Sequence, residues 1–165
     1  MGAIMTRVYL VAIALCLCGT ARASTTTAAL EILCGPGHED LAPMVDAAAR
    51  RYMQHPVLLV SIMARESGCR MDVVGAHGEV CAMQLRGAAR NGHSRRALQR
   101  DPALCIDTGA RWLALRMVDC AGLGVLSIGG YNARECRHGK RYARKVLATV
   151  ARVWREMRRQ QEGRS

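Results

Sequence analysis

Apolar residues recur at helical spacing over long stretches of the chain, separated by short breaks that carry glycine or proline. This repeat predicts three helices, at 38–54, 101–120 and 141–159. The segment 57–66, VLLVSIMARE, is apolar on nearly every side, which is typical of a central helix packed by several neighbours. Pro56 suits the first position of that helix, and Gly68 suits its C-terminal cap. The pattern predicts one compact, mainly α domain.

Between these helices the helical repeat is lost. Residues 24–33 are rich in Thr and Ala and are expected to form a loose terminus. Residues 69–82 carry two glycines and a β-branched pair, and they predict a loop or short hairpin. Residues 83–91 are expected to form a short helix that ends at an Asn-Gly pair. A short apolar segment with two glycines follows at 125–131.

The first 23 residues have the pattern of a secretory signal peptide. Arg7 supplies a positive start, residues 8–17 form an apolar run too short to span a membrane, and Ala21-Arg22-Ala23 fits a cleavage site. The sequence therefore predicts export to the periplasm or the exterior. Cleavage would leave three parts, namely an N-terminal segment at 24–37, a domain at 38–160 and a basic tail at 161–165.

Six cysteines follow the predicted cleavage site: Cys34, Cys69, Cys81, Cys105, Cys120 and Cys136. An even number in an exported chain predicts disulfides, here up to three, and 15 pairings are open from the residues alone. A zinc site would require Cys and His at short ligand spacings. No C-x2-C occurs, and His77 near Cys81 has no matching second pair, so neither a metal nor another cofactor is expected.

The chain is strongly basic, with a formal charge of +11. Eleven Lys or Arg but only three acids lie between residues 134 and 164. A basic exported protein is expected to meet an anionic partner such as cell-wall polymer, lipid headgroups or DNA, although a solvated helix face with a basic tail also explains the run. Nucleic acid is not expected, because the chain is exported and has few aromatic residues for base stacking.

Glu66 ends the apolar helix on the face that Ile62 and Met63 occupy. Burial disfavours a charged carboxylate, and the C-terminal end of the helix dipole acts in the same direction. Both effects are expected to raise the pKa of Glu66, which is what a general acid requires. The alternative is a glutamate that swings into solvent or pairs with Arg65 or Arg70.

Three short motifs follow one another along the chain. They are ARESG at 64–68, AMQL at 82–85 and GGYNA at 129–133. Together they resemble the motifs of the soluble lytic transglycosylase domain, which shares the lysozyme fold and is akin to goose-type lysozyme, and the eighteen residues from Glu66 to Gln84 match the family spacing. Two other parts also resemble the family, namely 101–114 and the pair Tyr142 and Val146. The resemblance covers residues 55–150.

The resemblance implies a mainly α, lysozyme-like fold, an enzyme without a cofactor, and peptidoglycan glycan strands as substrate. Glu66 would be the single acid/base that cleaves the bond from N-acetylmuramic acid to N-acetylglucosamine and leaves 1,6-anhydro ends. Tyr131 would support the acid or the developing charge, and Met83, Gln84 and Asn132 would line the sugar cleft. Small exported members of such a family can also serve a secretion or envelope machine.

The chain departs from the family pattern at several positions. A family serine that often contacts the catalytic glutamate falls on Gly75, a motif glycine is replaced by Cys81, and a family asparagine falls on Cys105. We expect disulfides to rebuild the loops that these residues normally shape. Two pairs are expected: Cys69–Cys81 and Cys120–Cys136.

Glu79 is a candidate second carboxylate in the loop near the site. It would position a water molecule and turn the chemistry into hydrolysis with inversion, or it is a solvated loop residue or one that binds an arginine. Two alternatives to a transglycosylase therefore stay open. One is a hydrolytic lysozyme on the same fold, and the other is a non-catalytic wall-binding or assembly module that uses the basic surface.

Overall fold

The computed structural model describes residues 24–133 and 135–163, and its regular structure there is almost entirely helical. The α-helices of this part are α1 Thr25–Cys34, α2 Ala42–Arg51, α3 Pro56–Ser67, α4 Arg95–Arg100, α5 Pro102–Asp119 and α6 Lys140–Glu162. Short 3₁₀ helices lie at Glu39–Leu41, Gly87–Arg90, Ala121–Tyr131 and Cys136–Gly139. The mainly α fold class is confirmed, and the predicted signal peptide lies outside the described residues.

Helix α3 is the central element, as its apolar sequence predicts. Most of its residues are buried, and α1, α2 and α6 pack around it. Pro56 occupies its first position, where a backbone N–H is not needed, and the His55 imidazole accepts a hydrogen bond from the Val57 N–H. Gly68 caps the other end in the left-handed conformation. Helix α3 therefore fixes its C-terminal residues relative to the core.

The N-terminal segment is helical, so the expectation of a loose terminus at 24–33 is wrong. Ser24 caps α1, since its hydroxyl accepts a hydrogen bond from a backbone N–H of the first turn. Leu30 is fully buried, and the Thr26 hydroxyl donates to Asp46 on α2. Thr and Ala give only a weak helical signal in isolation, and packing against α3 supplies the stabilisation that the local sequence lacks.

Other helix boundaries also differ from the prediction. The helix expected at 38–54 is divided before α2, because Pro43 has no N–H to continue a helix from Glu39. The prediction of a short α-helix at 83–91 is wrong. Leu85 pairs with Val80, and only the 3₁₀ helix Gly87–Arg90 follows. Helix α4 was not predicted at all. The long helices expected at 101–120 and 141–159 are confirmed as α5 and α6.

The loop or hairpin expected at 69–82 is a compact double turn. Val74 pairs with Val80, and Val80 pairs with Leu85, both in antiparallel fashion. Apart from these isolated pairs, the described residues contain no β-structure. The double turn and the residues after it form one wall of a cleft beside the end of α3.

Three disulfides occur within the described part of the chain: Cys34–Cys69, Cys81–Cys105 and Cys120–Cys136. Their Cα–Cα distances of 5.7, 6.4 and 5.4 Å are ordinary for disulfides. The pairing of Cys120 with Cys136 is confirmed, whereas the expected Cys69–Cys81 bond is wrong. Cys69 is bonded to Cys34 because α1, which was expected to be loose, packs along α3 and ends beside it.

Two backbones cross at close range where the chain enters α6. A Cβ on Gly129 would lie 2.3 Å from the carbonyl oxygen of Gly139, and a Cβ on Gly139 would lie 2.2 Å from that of Gly129. Any side chain at either position would collide with backbone, so glycine is required at both. The crossing brings Tyr131, two residues after Gly129, alongside Tyr142, three residues after Gly139.

Helix α6 is amphipathic. Val146 and Val153 are fully buried, while all of its lysines and arginines are exposed. Its buried side packs on α3 and on the Ala121–Tyr131 segment. Within residues 24–133 and 135–163, no helix is both long enough and apolar enough to cross a membrane.

Candidate active site

Glu66 lies in the last turn of α3 and is half-buried. The helix end is closed by Gly68, whose N–H donates to the Ala64 carbonyl at 3.0 Å. The hydroxyl of Ser67 donates to the Ala82 carbonyl at 3.0 Å, which ties the end of the helix to the second motif. The carboxyl of Glu66 is thus held between the core and an open cleft.

Tyr142 on α6 is the hydrogen-bond partner of Glu66. Its hydroxyl donates to Glu66 Oε1 at 2.5 Å. Its ring stacks on Tyr131 with centroids 6.3 Å apart, and the guanidinium of Arg65 lies 5.6 Å from its centroid. Tyr142 had no predicted role at the site. Its resemblance to the family's terminal Tyr–Val element was the one signal that could have placed it at the site.

Burial raises the pKa of Glu66 above that of an ordinary glutamate, as predicted, and the charge of Glu79 acts in the same direction. The hydrogen bond from Tyr142 and the charge of Arg65 lower the pKa and only partly offset burial. Burial also raises the pKa of the Tyr131 and Tyr142 hydroxyls, so both keep their protons. Glu66 therefore keeps its proton to a higher pH than an exposed carboxyl, as a general acid must.

Met83 lies beneath the cleft and does not line it, which differs from the expectation for this residue. Its side chain is fully buried, and a Cβ on Gly109 of α5 would lie 2.5 Å from Met83 Cε. Its carbonyl oxygen accepts a hydrogen bond of 2.6 Å from the Tyr131 hydroxyl. Tyr131 thereby supports the second motif directly and reaches Glu66 through the stacked ring of Tyr142.

The turn that carries the second motif has an unusual backbone. Cys81 and Gln84 have φ values of +60° and +48°, a region that glycine adopts far more readily than other residues. The disulfide to Cys105 and a 3.0 Å hydrogen bond from the Gln84 N–H to the Cys81 carbonyl hold the turn. A covalent bond therefore stabilises the left-handed conformation at Cys81, the position where the family pattern has glycine.

The carboxylate of Glu79 lies over Gly75 and beside Gln84. A Cβ on Gly75 would lie 2.5 Å from Glu79 Oε2 and 2.7 Å from Gln84 Oε1, so both side chains use space that a larger residue would fill. The His77 N–H donates to Glu79 Oε2 at 2.9 Å, and Arg86 lies 3.5 Å from Oε1. Hydrogen bonds from the backbone N–H groups of Glu79 and His77, with the charge of Arg86, lower the pKa of Glu79 and keep it ionised.

The third motif is held by side chains of α5. Trp112 Nε1 donates to the Tyr131 carbonyl at 3.2 Å. Arg116 Nε donates to the Gly130 carbonyl at 3.0 Å. Asn132, which follows directly, is exposed on the cleft.

These elements surround an open cleft of about 970 Å³. It brings together five residues that the sequence predicted for the site: Glu66, Glu79, Gln84, Tyr131 and Asn132. Twelve further lining residues were missed, and six of them carry a polar, charged or indole side chain: His77, Arg86, Arg90, Arg95, Trp112 and Arg116. The basic run at 86–96 was the sequence signal for three of them. In the described residues, no group of His, Cys, Asp or Glu is arranged to hold a metal ion.

A comparison with models of protein families identifies the family of this chain. The model described as the Transglycosylase SLT domain matches residues 43–147, more than half of the chain and a range that contains all three motifs and Tyr142. A comparison with curated proteins found no match. The helical fold, the motif order and the position of the glutamate agree with the family match. The chain belongs to the SLT transglycosylase domain family, whose members act on peptidoglycan.

Proposed function

We propose that this protein is an exported lytic transglycosylase that cleaves the bond from N-acetylmuramic acid to N-acetylglucosamine and leaves 1,6-anhydro ends. The observation that carries the proposal is the carboxyl of Glu66, which opens onto the cleft, has a pKa raised by burial and is hydrogen-bonded by Tyr142. Membership of the SLT family supplies the substrate class.

Glu66 acts twice in the proposed reaction. Its proton passes to the glycosidic oxygen as the bond from that oxygen to C1 breaks. The resulting carboxylate then takes the proton of the C6 hydroxyl of the muramoyl residue, whose oxygen bonds to C1. The acid is regenerated and no water is consumed. Between the two steps the hydroxyl of Tyr142 stabilises the carboxylate.

The polar side chains on the cleft walls suit an uncharged sugar. Gln84 and Asn132 each carry an amide that donates and accepts hydrogen bonds, and both line the cleft with Glu66. We assign them to the hydroxyl and acetamido groups of the glycan. Met83 and Tyr131 act from below by fixing the turn that presents Gln84.

Hydrolysis to reducing ends is the second candidate, and the position of Glu79 favours it. Its carboxylate lines the same cleft, is kept ionised by backbone N–H groups, and raises the pKa of Glu66 by its charge. An ionised carboxylate beside a protonated one is the arrangement that activates water in inverting glycosidases.

The test is the substitution Glu66→Gln, which keeps the shape of the side chain and removes its proton. We expect release of soluble fragments from isolated cell walls to fall by about 10²–10⁴-fold, the usual contribution of a general acid. Mass spectrometry of the fragments identifies their ends. Glu31→Gln, on the exposed side of α1, is the matched control and should retain full activity.

The outcomes distinguish the transglycosylase, the hydrolase and the non-catalytic wall-binding module. Anhydro ends support the transglycosylase, and reducing ends support the hydrolase. Full activity in the Glu66→Gln variant contradicts the role of Glu66 as the acid in both reactions, and inactive wild type with its disulfides intact contradicts both enzymes. If the wild type degrades walls and the Glu66→Gln variant binds them without degrading them, the non-catalytic module is contradicted.

A further inference from the structure

One wall of the cleft carries more positive charge than the proposed reaction uses. Arg86, Arg90 and Arg95 line it, from the residue before the 3₁₀ helix Gly87–Arg90 to the first residue of α4. The bond to be cleaved joins two sugars whose rings are uncharged. The glycosidic reaction therefore gives no reason for a row of cations here.

Two of these three arginines have no acidic partner among the residues that the structure describes. Arg86 lies 3.5 Å from the Glu79 carboxylate, whereas no salt bridge within the described residues involves Arg90 or Arg95. The Nε of Arg90 is buried and has no hydrogen-bond acceptor in that part of the chain. A partly buried charge without a compensating partner is costly, so an anion in the cleft beside Arg90 would be favoured. The Arg95 guanidinium lies close to Gly78, which also lines the cleft, so Arg95 and the double turn belong to the same wall of the cleft.

The geometry fits a carboxylate ligand. An arginine guanidinium is a planar, permanently charged fork that matches a carboxylate with two parallel hydrogen bonds. In peptidoglycan the lactyl carboxyl of the muramoyl residue is consumed in the amide bond to the stem peptide. The free carboxylates of the substrate are therefore on the stem peptide, beside the glycan strand.

We propose that Arg90 and Arg95 form a subsite for the carboxylates of the stem peptide, so that the enzyme prefers glycan whose stems carry free carboxylates. The inference rests on the proposed function, because it assigns a second recognition site to the same cleft. The volume of about 970 Å³ is at the upper end for ligand sites, which leaves room beside the sugars for part of a peptide.

The test compares two cell-wall substrates that differ only in stem charge. One is native wall, and in the other the carboxylates are converted to amides with ammonium and a carbodiimide. Initial rates of fragment release are measured at about 0.3 M salt, where long-range charge effects are largely screened. Wild type is expected to cut native wall about tenfold faster, the effect of losing one hydrogen bond to a charged group. The Arg90→Gln/Arg95→Gln variant is expected to cut both at about the same rate.

The matched control is Arg96→Gln/Arg100→Gln, which removes the same charge from exposed positions of α4 that do not line the cleft. It should keep the wild-type preference. If it loses the preference as the cleft variant does, or if the cleft variant keeps the preference, the subsite is overturned. The single variant Arg95→Gln changes an exposed side chain and repeats the comparison should the double variant fail to fold.

Failure of the subsite is distinct from failure of the proposed function. Wild type that cuts both substrates equally overturns the subsite and leaves the glycosidic activity standing. Wild type that cuts neither substrate removes the proposed function and the subsite together.

Discussion

At the residue scale, four neighbouring influences set the protonation of Glu66. Burial and the charge of Glu79 raise its pKa, and Tyr142 and Arg65 lower it. Arg65 is the residue before Glu66, whereas Glu79 and Tyr142 lie further along the chain, and the influences act in opposite directions. Removing them one at a time should therefore move the pH dependence of the reaction in opposite directions.

Tyr142→Phe removes the hydroxyl bonded to Glu66 and keeps the ring that stacks on Tyr131. Because this hydrogen bond favours the carboxylate, its loss raises the pKa of Glu66 further. Activity requires the protonated acid, so the alkaline limb of the profile of kcat/KM against pH is expected to move to higher pH. The maximum is expected to fall by about 10–100-fold, the effect of losing a hydrogen bond to a charged group.

The control for this profile is Tyr52→Phe, which removes a hydroxyl bonded to Asp107 at 3.0 Å, away from the cleft. Its alkaline limb should coincide with that of the wild type. A limb that moves to lower pH in Tyr142→Phe would contradict the assignment of Tyr142.

Gly75 and Glu79 are expected to act as one unit. A Cβ at Gly75 would lie 2.5 Å from Glu79 Oε2, so Gly75→Ala must displace that carboxylate. Moving the negative charge away from Glu66 lowers the pKa of Glu66, and the alkaline limb should shift to lower pH, as it should in Glu79→Gln. In a Glu79→Gln background Gly75→Ala should add little further shift. Additive shifts in the double variant would show that the two residues act independently.

At this scale, the sequence predicted correctly only interactions between residues that are close together in the chain. The raised pKa of Glu66 was predictable because its apolar neighbours on α3 lie one turn away. Its partner Tyr142 lies 76 residues further along the chain, where no helical period connects them. The close approach of Glu79 to Gly75 depends on the double turn, whose shape comes from bridge pairs that the sequence did not specify.

At the scale of elements, the glycine crossing determines how α6 meets the rest of the domain. Gly129→Ala would place a Cβ 2.3 Å from a backbone oxygen that cannot rotate away. We expect a loss of about 1–3 kcal/mol or more in the free energy of unfolding, as for other overpacked sites. Activity should fall as well, because the crossing sets Tyr131 and Tyr142 against each other.

Gly122→Ala is the matched control for the crossing, since a Cβ there meets nothing within 4 Å. Denaturant unfolding of the two variants and the wild type, followed by circular dichroism, makes the comparison. Equal stability of Gly129→Ala and Gly122→Ala would show that the backbones can separate without cost.

The helices that the sequence predicted well are those with a long apolar repeat. Helices α5 and α6 were found in this way, whereas α3 was found because its segment is apolar on nearly every side. Helix α1 was missed because its Thr-rich repeat is weak and its burial against α3 is a tertiary effect. That error also produced the wrong partner for Cys69, since a loose terminus would not place Cys34 beside it.

At the scale of the whole molecule, the charge of +11 is concentrated in part on the exposed face of α6. Electrostatic attraction to an anionic wall falls as salt shortens the Debye length from about 10 Å at 0.1 M to about 3 Å at 1 M. Binding to isolated walls is therefore expected to weaken by about tenfold or more over that range, with each exposed cation adding a small share. Sedimentation of the Glu66→Gln variant with walls measures binding without degradation.

Four arginines of α6 outside the cleft test the origin of this binding: Arg152, Arg155, Arg158 and Arg159. Replacing them with Gln should weaken wall binding at low salt and have little effect at high salt. Wall binding that does not respond to salt would contradict an electrostatic role for α6. The total charge follows from the sequence. How the basic residues are divided between α6 and the cleft wall could be seen only in the folded structure.

Because of the three disulfides, the stability of the folded cleft depends on whether the protein is in a reducing or an oxidising compartment. One lies just after Glu66, one holds the second-motif turn and one follows the third motif. In a reducing compartment such bonds do not persist, and each missing bond stabilises the unfolded chain by about 3–4 kcal/mol in the chain-entropy model. Together they approach the whole stability of an ordinary domain, about 5–15 kcal/mol. An enzyme of the proposed kind would thus be synthesised without a stable active cleft. Formation of the disulfides after export would be the step that makes it able to cleave the wall.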